Sequence, residues 1–233
     1  NLETQTSEVS EDFGSLFQVD FRSLRRLRKS WFKVIVMPRR EVPLVAGQYY
    51  HVYNRGNNRG PIFFERENYA FFISRFRHHV ADQHARVLAY VLMPNHYHFL
   101  LQPIDEGLSY AMQRFSISYT KAINERFDRV GCLFQGAFQA KLVDEEGYLL
   151  HLTRYLHLNP VRARLCMRPE EWEFSSYRDY VGLRAGTLPD LAPAERELMR
   201  AGIPRQEFAA RYRSFVLGYQ PEDRKRIASL LFP

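Results

Sequence analysis

Cysteine is scarce in this 233-residue chain: only Cys132 and Cys166 occur, with no CxxC spacing. Neither a disulfide framework nor a cysteine zinc site is indicated, and a reducing cytoplasm fits. No apolar run approaches the roughly 20 residues that a membrane span needs, and the run at 34–37 is too brief for a signal-peptide core. The expectation is a soluble, unexported protein with no membrane partner. There is no glycine-rich phosphate loop of the Walker type and no acidic cluster suited to two metals, so neither a nucleotide cofactor nor a two-metal nuclease is expected. Internal repeats and low-complexity tracts are also missing.

Positive charge and aromatic rings are plentiful. Lys and Arg number 33 against 26 Asp and Glu, a formal charge of +7, which favours a polyanionic partner, nucleic acid first, although simple solubility also accounts for it. Apolar residues make up 45%, aromatics 15% and charged residues 25%, the balance of a globular chain. The length suits one core domain with terminal additions.

Residues 1–42 differ in texture from the rest. An acidic, Ser-rich start gives way to the basic run at 25–29 and then to Met37-Pro38-Arg39-Arg40, so this segment reads as an appendage. Met37 is a candidate start residue, and a basic arm meeting DNA phosphates is the functional alternative. Residues 43–181 carry the core pattern. From 182 to 233 the composition shifts to Ala, Arg, Glu and Pro in short helical pieces, a helical C-terminal extension.

Within the core, 48–53 reads as a strand ended by the polar loop at 54–60. Tyr69, Phe72, Ile73 and Phe76 recur at helical spacing in 67–79. Strands are expected at 86–93 and 97–102, paired around the Pro94-Asn95 break. A helix at 108–127 and a strand at 134–143 follow. A third helix opens at Asp144, a plausible N-cap, and runs to about His157, where Asn159-Pro160 stops it. This order predicts an α+β fold: a ferredoxin-like split βαβ core, with helices on one face of an antiparallel sheet.

Two constellations carry chemistry. In His96-Tyr97-His98, strand alternation points both imidazoles to one face, where they can share a divalent cation. HxH alone also suits ordinary surface or core histidines, or a zinc hydrolase, but no HExxH or comparable acid stands beside the pair. On the third helix His151, Tyr155 and Asn159 are four residues apart and line up along one side, flanked by Leu149, Leu152 and Leu156. Spacing leaves open whether Tyr155 is reactive or simply an edge-of-core aromatic. Tyr119, mid-helix in a similar segment, competes with it, but the residue four positions on is Ile123, which has no ligating group.

The order MPNHYHFLL at 93–101, FQGAFQAKLVDEEGYLLHLTRYLHLNPVRARL at 134–165 and WEFSSY at 172–177 resembles the REP-associated tyrosine transposases, which belong to the HUH single-strand DNA transposases. The likeness spans about 49–180. It implies that His96 and His98 are metal ligands, that Asn159 completes the metal site, and that Tyr155 is the nucleophile. It further implies cleavage and rejoining of single-stranded or hairpin DNA through a 5′-phosphotyrosine. Mg²⁺ or Mn²⁺ is the implied cofactor, with mixed nitrogen and oxygen ligation suiting Mn²⁺ somewhat better. Arg55, Arg59, Lys141, Arg154, Arg162 and Arg164 are candidate phosphate contacts. Two positions depart from the pattern: Tyr97 stands where an aliphatic residue is usual, which alters strand packing, and Ala137 replaces a basic residue, which weakens a phosphate contact. The resemblance allows a monomer or a homodimer, and a catalytically silent repeat-DNA-binding protein or repressor is the alternative.

Overall fold

The computed structural model describes residues 44–81, 83–144, 148–198, 207–220 and 222–231. The appendage expected at 1–42 lies outside the described residues. Four strands, β1 (Tyr49–Arg55), β2 (Ala85–Met93), β3 (His96–Pro103) and β4 (Gln139–Val143), form one antiparallel sheet in the order β2-β3-β1-β4. That order, with helices α1 (Arg66–Phe76) and α2 (Leu108–Arg126) between the strands, is the split βαβ arrangement.

Each element begins or turns for a local reason. The Asn68 side-chain oxygen accepts from the backbone N–H of Phe64 at 2.9 Å and of Glu65 at 3.1 Å, a capping box that starts α1 just before the position read from periodicity. β2 and β3 form a hairpin in which Met93 pairs with His96 and Pro94-Asn95 make the turn. Gly56, just after β1, must be glycine because a Cβ there would collide with the carbonyl of Gly60.

The sheet is buried on both faces. On one face α1 and α2 pack an aromatic core: Phe76 stacks on Phe99 at 4.0 Å, and Phe72 meets Phe115 edge-on at 4.8 Å and Tyr97 at 5.2 Å. Burying each of these rings stabilises the fold by about 1.5–3 kcal/mol. Tyr97, the unusual middle residue of the HxH, is therefore a core side chain, 0% exposed.

The opposite face carries Leu88, Val91, Met93 and Leu100. It is closed by helix α3 (Tyr148–Arg162), followed by α4 (Tyr177–Tyr180), α5 (Ala192–Leu198), α6 (Phe208–Leu217) and α7 (Asp223–Arg226). The 182–233 extension thus contributes to this second core, with Phe208, Tyr212, Val216 and Leu230 buried in it. Residues 172–177 line the outer edge of β2: Leu92 N donates to Phe174 O at 2.9 Å and Ser176 N to Tyr90 O at 3.0 Å, which covers an edge that would otherwise be open to pairing.

Three expected boundaries move. The strand at 134–143 is shorter, β4 beginning only at Gln139, while Phe134 makes an isolated bridge with Gly56. The helix at 67–79 gives way after Phe76 to a wider π turn, Arg77–Ala81. α3 does not stop before Pro160 but continues to Arg162. Proline removes only its own N–H bond, and the Ala163 N–H still reaches Asn159 O at 2.9 Å. The helix ends at Arg164 (φ 58), where Leu165 N bonds Pro160 O and Arg164 N bonds Val161 O, the Schellman pattern. Among the described residues no helix is long and apolar enough to cross a membrane.

Candidate active site

The β1–β3 register sets the first half of the site. Tyr53 stands opposite His98 and Arg55 opposite His96, and directly opposed residues project to the same face. That face is the one covered by α3. The His96 and His98 rings are 5.0 Å apart and nearly perpendicular, at 86°. His98 stacks on His51 of β1 at 5.0 Å, with His51 Nε2 2.9 Å from His98 Nδ1. His51 Nδ1 in turn lies 2.6 Å from the carbonyl oxygen of Leu230. His96 Nδ1 lies 2.6 Å from Asn95 Oδ1.

All three rings are poor bases here. Burial, reinforced by the charge of Arg55, lowers the His96 pKa to about 4. Burial also brings His51 to about 4 against the opposing hydrogen bond to Leu230, and it holds His98 well below the usual range, with His51 and His96 adding to the effect. At neutral pH the imidazoles are uncharged, the state in which a ring nitrogen can ligate a metal.

Helix α3 supplies the second half. Its apolar stripe, Leu149, Leu152 and Leu156, docks on the sheet and turns Tyr155 toward His98, with ring centroids 6.4 Å apart. Tyr155 is 7% exposed. Burial raises its pKa, while Arg162, Arg224 and the nearby Asn159 amide pull it back down. The Arg162 guanidinium carbon sits 5.4 Å from the Tyr155 ring centroid. Asn159 is one turn beyond Tyr155, and its buried Nδ2 has no well-formed hydrogen bond among the described residues.

Tyr119, the competing tyrosine, is on the other face of the sheet. It is 0% exposed, packed between Phe72 and Phe115, and its hydroxyl donates to Ile62 O at 2.8 Å. DNA cannot reach it without unpacking that core.

The candidate phosphate contacts separate into groups. Arg55 and Arg162 lie at the site, and Arg59 and Arg164 are exposed in turns at φ 60 and 58. Lys141 and Arg154 are committed to the C-terminal segment instead. Lys141 Nζ donates to Leu231 O at 2.6 Å. Arg154, 4% exposed, donates to Phe215 O at 3.1 Å, pairs with Asp223 at 2.8 Å and lies over the Phe215 ring at 4.1 Å. His151, aligned with Tyr155 on the helix, accepts from Arg154 at 2.8 Å and belongs to the same structural cluster. Sequence reading missed His51, Asn95, Arg224 and Tyr219, whose hydroxyl accepts from Arg162 at 3.5 Å. Only the strand register exposes His51, and only the fold of the C-terminal segment brings in Tyr219 and Arg224.

His96, His98 and Asn159 provide two imidazoles and one amide. Among the described residues no three His, Cys, Asp or Glu side chains gather as a metal group. Two neutral imidazoles and the side-chain oxygen of Asn159 fit a divalent cation of the Mg²⁺ or Mn²⁺ kind, and the set lacks the third and fourth His or Cys ligands of a structural zinc site.

The arrangement has relatives. No curated protein matches the chain. The structure of a REP-associated tyrosine transposase bound to a REP hairpin matches it with a TM-score of 0.54 at 19% identity, covering 66% of this chain and 94% of that one, a likeness of fold. The family model for IS200-like transposases matches residues 44–159, which take in all four strands, the HxH and α3 through Asn159. The chain belongs to the IS200-like transposase family and so to the enzymes that cleave DNA.

Proposed function

We propose that this protein cleaves and rejoins single-stranded DNA at hairpin-forming repeats, with Tyr155 as nucleophile and His96, His98 and Asn159 holding a divalent metal. The observation that carries the proposal is the meeting of the HxH imidazoles and the Tyr155 helix on one sheet face, with His98 and Tyr155 rings 6.4 Å apart. The hairpin-bound relative supports the choice of substrate.

The Tyr155 oxygen attacks phosphorus and the bond to the 3′ oxygen breaks. The 5′ phosphate is left on the tyrosine, and the phenolic proton is balanced by protonation of the departing 3′ hydroxyl. Reversal with a second 3′ hydroxyl rejoins DNA without ATP. A bound Mg²⁺ or Mn²⁺ would polarise the scissile phosphate and offset charge building on its oxygens. Free tyrosine has a pKa near 10, and burial raises that of Tyr155, so its ionisation needs the positive field of Arg162 and Arg224. The same two arginines suit the phosphate that must approach.

End-labelled hairpin DNA incubated with Mn²⁺ should give a denaturation-resistant adduct with the wild-type protein and none with Tyr155→Phe. The near-complete burial of Tyr155 favours one second reading, a protein that binds repeat DNA without cutting it. That reading gains if hairpins are bound and no adduct forms with either metal.

A further inference from the structure

Two side chains next to the HxH pair determine which nitrogen each imidazole offers. The first is His51, fully buried on β1. A carbonyl oxygen only accepts, so the 2.6 Å contact with Leu230 O requires the hydrogen on His51 Nδ1. A neutral ring has one N–H, which leaves a lone pair on His51 Nε2. His98 Nδ1, 2.9 Å away, must then donate to it, and the lone pair of His98 falls on Nε2. The second is Asn95. Its Nδ2 donates to Arg59 O at 2.9 Å, which fixes the amide and turns Oδ1 to His96 Nδ1 at 2.6 Å. An amide oxygen only accepts, so His96 Nδ1 carries the hydrogen and its lone pair is on Nε2 as well.

We infer that His51 and Asn95 are positioning residues of the metal site, each passing the fixed direction of a main-chain carbonyl through one side chain to a ligand imidazole, so that both ligands present Nε2. The inference rests on the reading of His96 and His98 as metal ligands. The two anchors come from distant parts of the chain: Arg59 from the loop after β1, and Leu230 from the C-terminal segment that Lys141 also holds through Leu231 O. The C-terminal segment is thus a support of the metal site. Such outer partners orient the ligand ring and raise its basicity, and losing one commonly lowers metal affinity about 10–100-fold.

The test reads tautomers and metal affinity and needs no DNA. In metal-free protein labelled with ¹⁵N-histidine, long-range proton–nitrogen NMR should place the ring hydrogen of both His96 and His98 on Nδ1. His51→Phe and Asn95→Ala should each lower Mn²⁺ affinity in calorimetry by about 10–100-fold while keeping the wild-type circular dichroism. His51→Gln, whose amide keeps one donor and one acceptor, should recover part of the loss. A ring hydrogen found on Nε2 of either histidine in the wild type overturns the inference, and that result needs no variant to fold. Wild-type affinity in His51→Phe, alongside lost binding in His98→Ala, overturns it too but leaves the metal site standing. If the wild type binds no Mn²⁺, or His98→Ala binds it as the wild type does, the metal reading fails and the inference with it.

Discussion

His157, on the same helix as Tyr155 but facing the second core, should make the fold acid-labile. It is 0% exposed, ringed by Tyr177, Tyr180 and Tyr212 at 4.9–5.6 Å, and bonded through Nδ1 to the Tyr212 hydroxyl at 2.6 Å and through Nε2 to Ser176 Oγ at 2.7 Å. Ser176 gives its own hydrogen to Tyr90 O, so it accepts from Nε2, and Tyr212 donates to Nδ1. The neutral ring is satisfied, and a second ring proton would face Tyr212's hydrogen. Burial accordingly lowers the pKa from 6.5 to about 3, with Arg184 adding to the effect. The unfolded chain therefore takes up the proton first. This residue's contribution is complete above about pH 6.5 and is lost as pH falls toward 3, at about 1.4 kcal/mol per unit, so about 2 kcal/mol is gone by pH 5. Urea denaturation at pH 8 and pH 5 should show the wild type losing about 2 kcal/mol more than His157→Gln, because the other buried histidines titrate in both proteins. Equal losses in the two proteins would refute the argument.

Three further predictions follow from the packing and the charges. Tyr119→Phe removes the bond to Ile62 O, should cost about 1 kcal/mol in denaturant, and should leave the rate of DNA cleavage unchanged. Asp223→Ala leaves the buried Arg154 guanidinium without its carboxylate; since Asp223 is itself partly exposed, thermal unfolding should show a loss of about 2 kcal/mol rather than the 3–5 of a fully buried pair. Arg162→Ala should weaken hairpin binding and lower the slope of log affinity against log salt by about 1, as expected for one lost phosphate contact.

The order of strands and helices was legible because the first crossover helix carries aromatics at helical spacing and Pro94-Asn95 marks the hairpin. The HxH face was legible from alternation alone. His51 was not, since its nearness to His98, 47 residues away in sequence, depends on the register of two strands. Arg154 read as a candidate phosphate contact because its partner, Asp223, comes from the C-terminal segment, where composition is uninformative. Pro160 read as a stop, yet the helix closes its last turn beyond it through Ala163 and the αL residue Arg164. Tyr119 and Tyr155 have similar local sequence, and it is the face of the sheet each helix covers that separates them.

The most direct test of the central claim is to map the covalent adduct. After reaction with hairpin DNA and Mn²⁺, nuclease trimming and trypsin digestion, mass spectrometry should find a nucleotide joined by its 5′ phosphate to the peptide 155–162, on Tyr155 and only when metal is present. A nucleotide on any other residue, a 3′ linkage, or cleavage with no adduct would contradict the account.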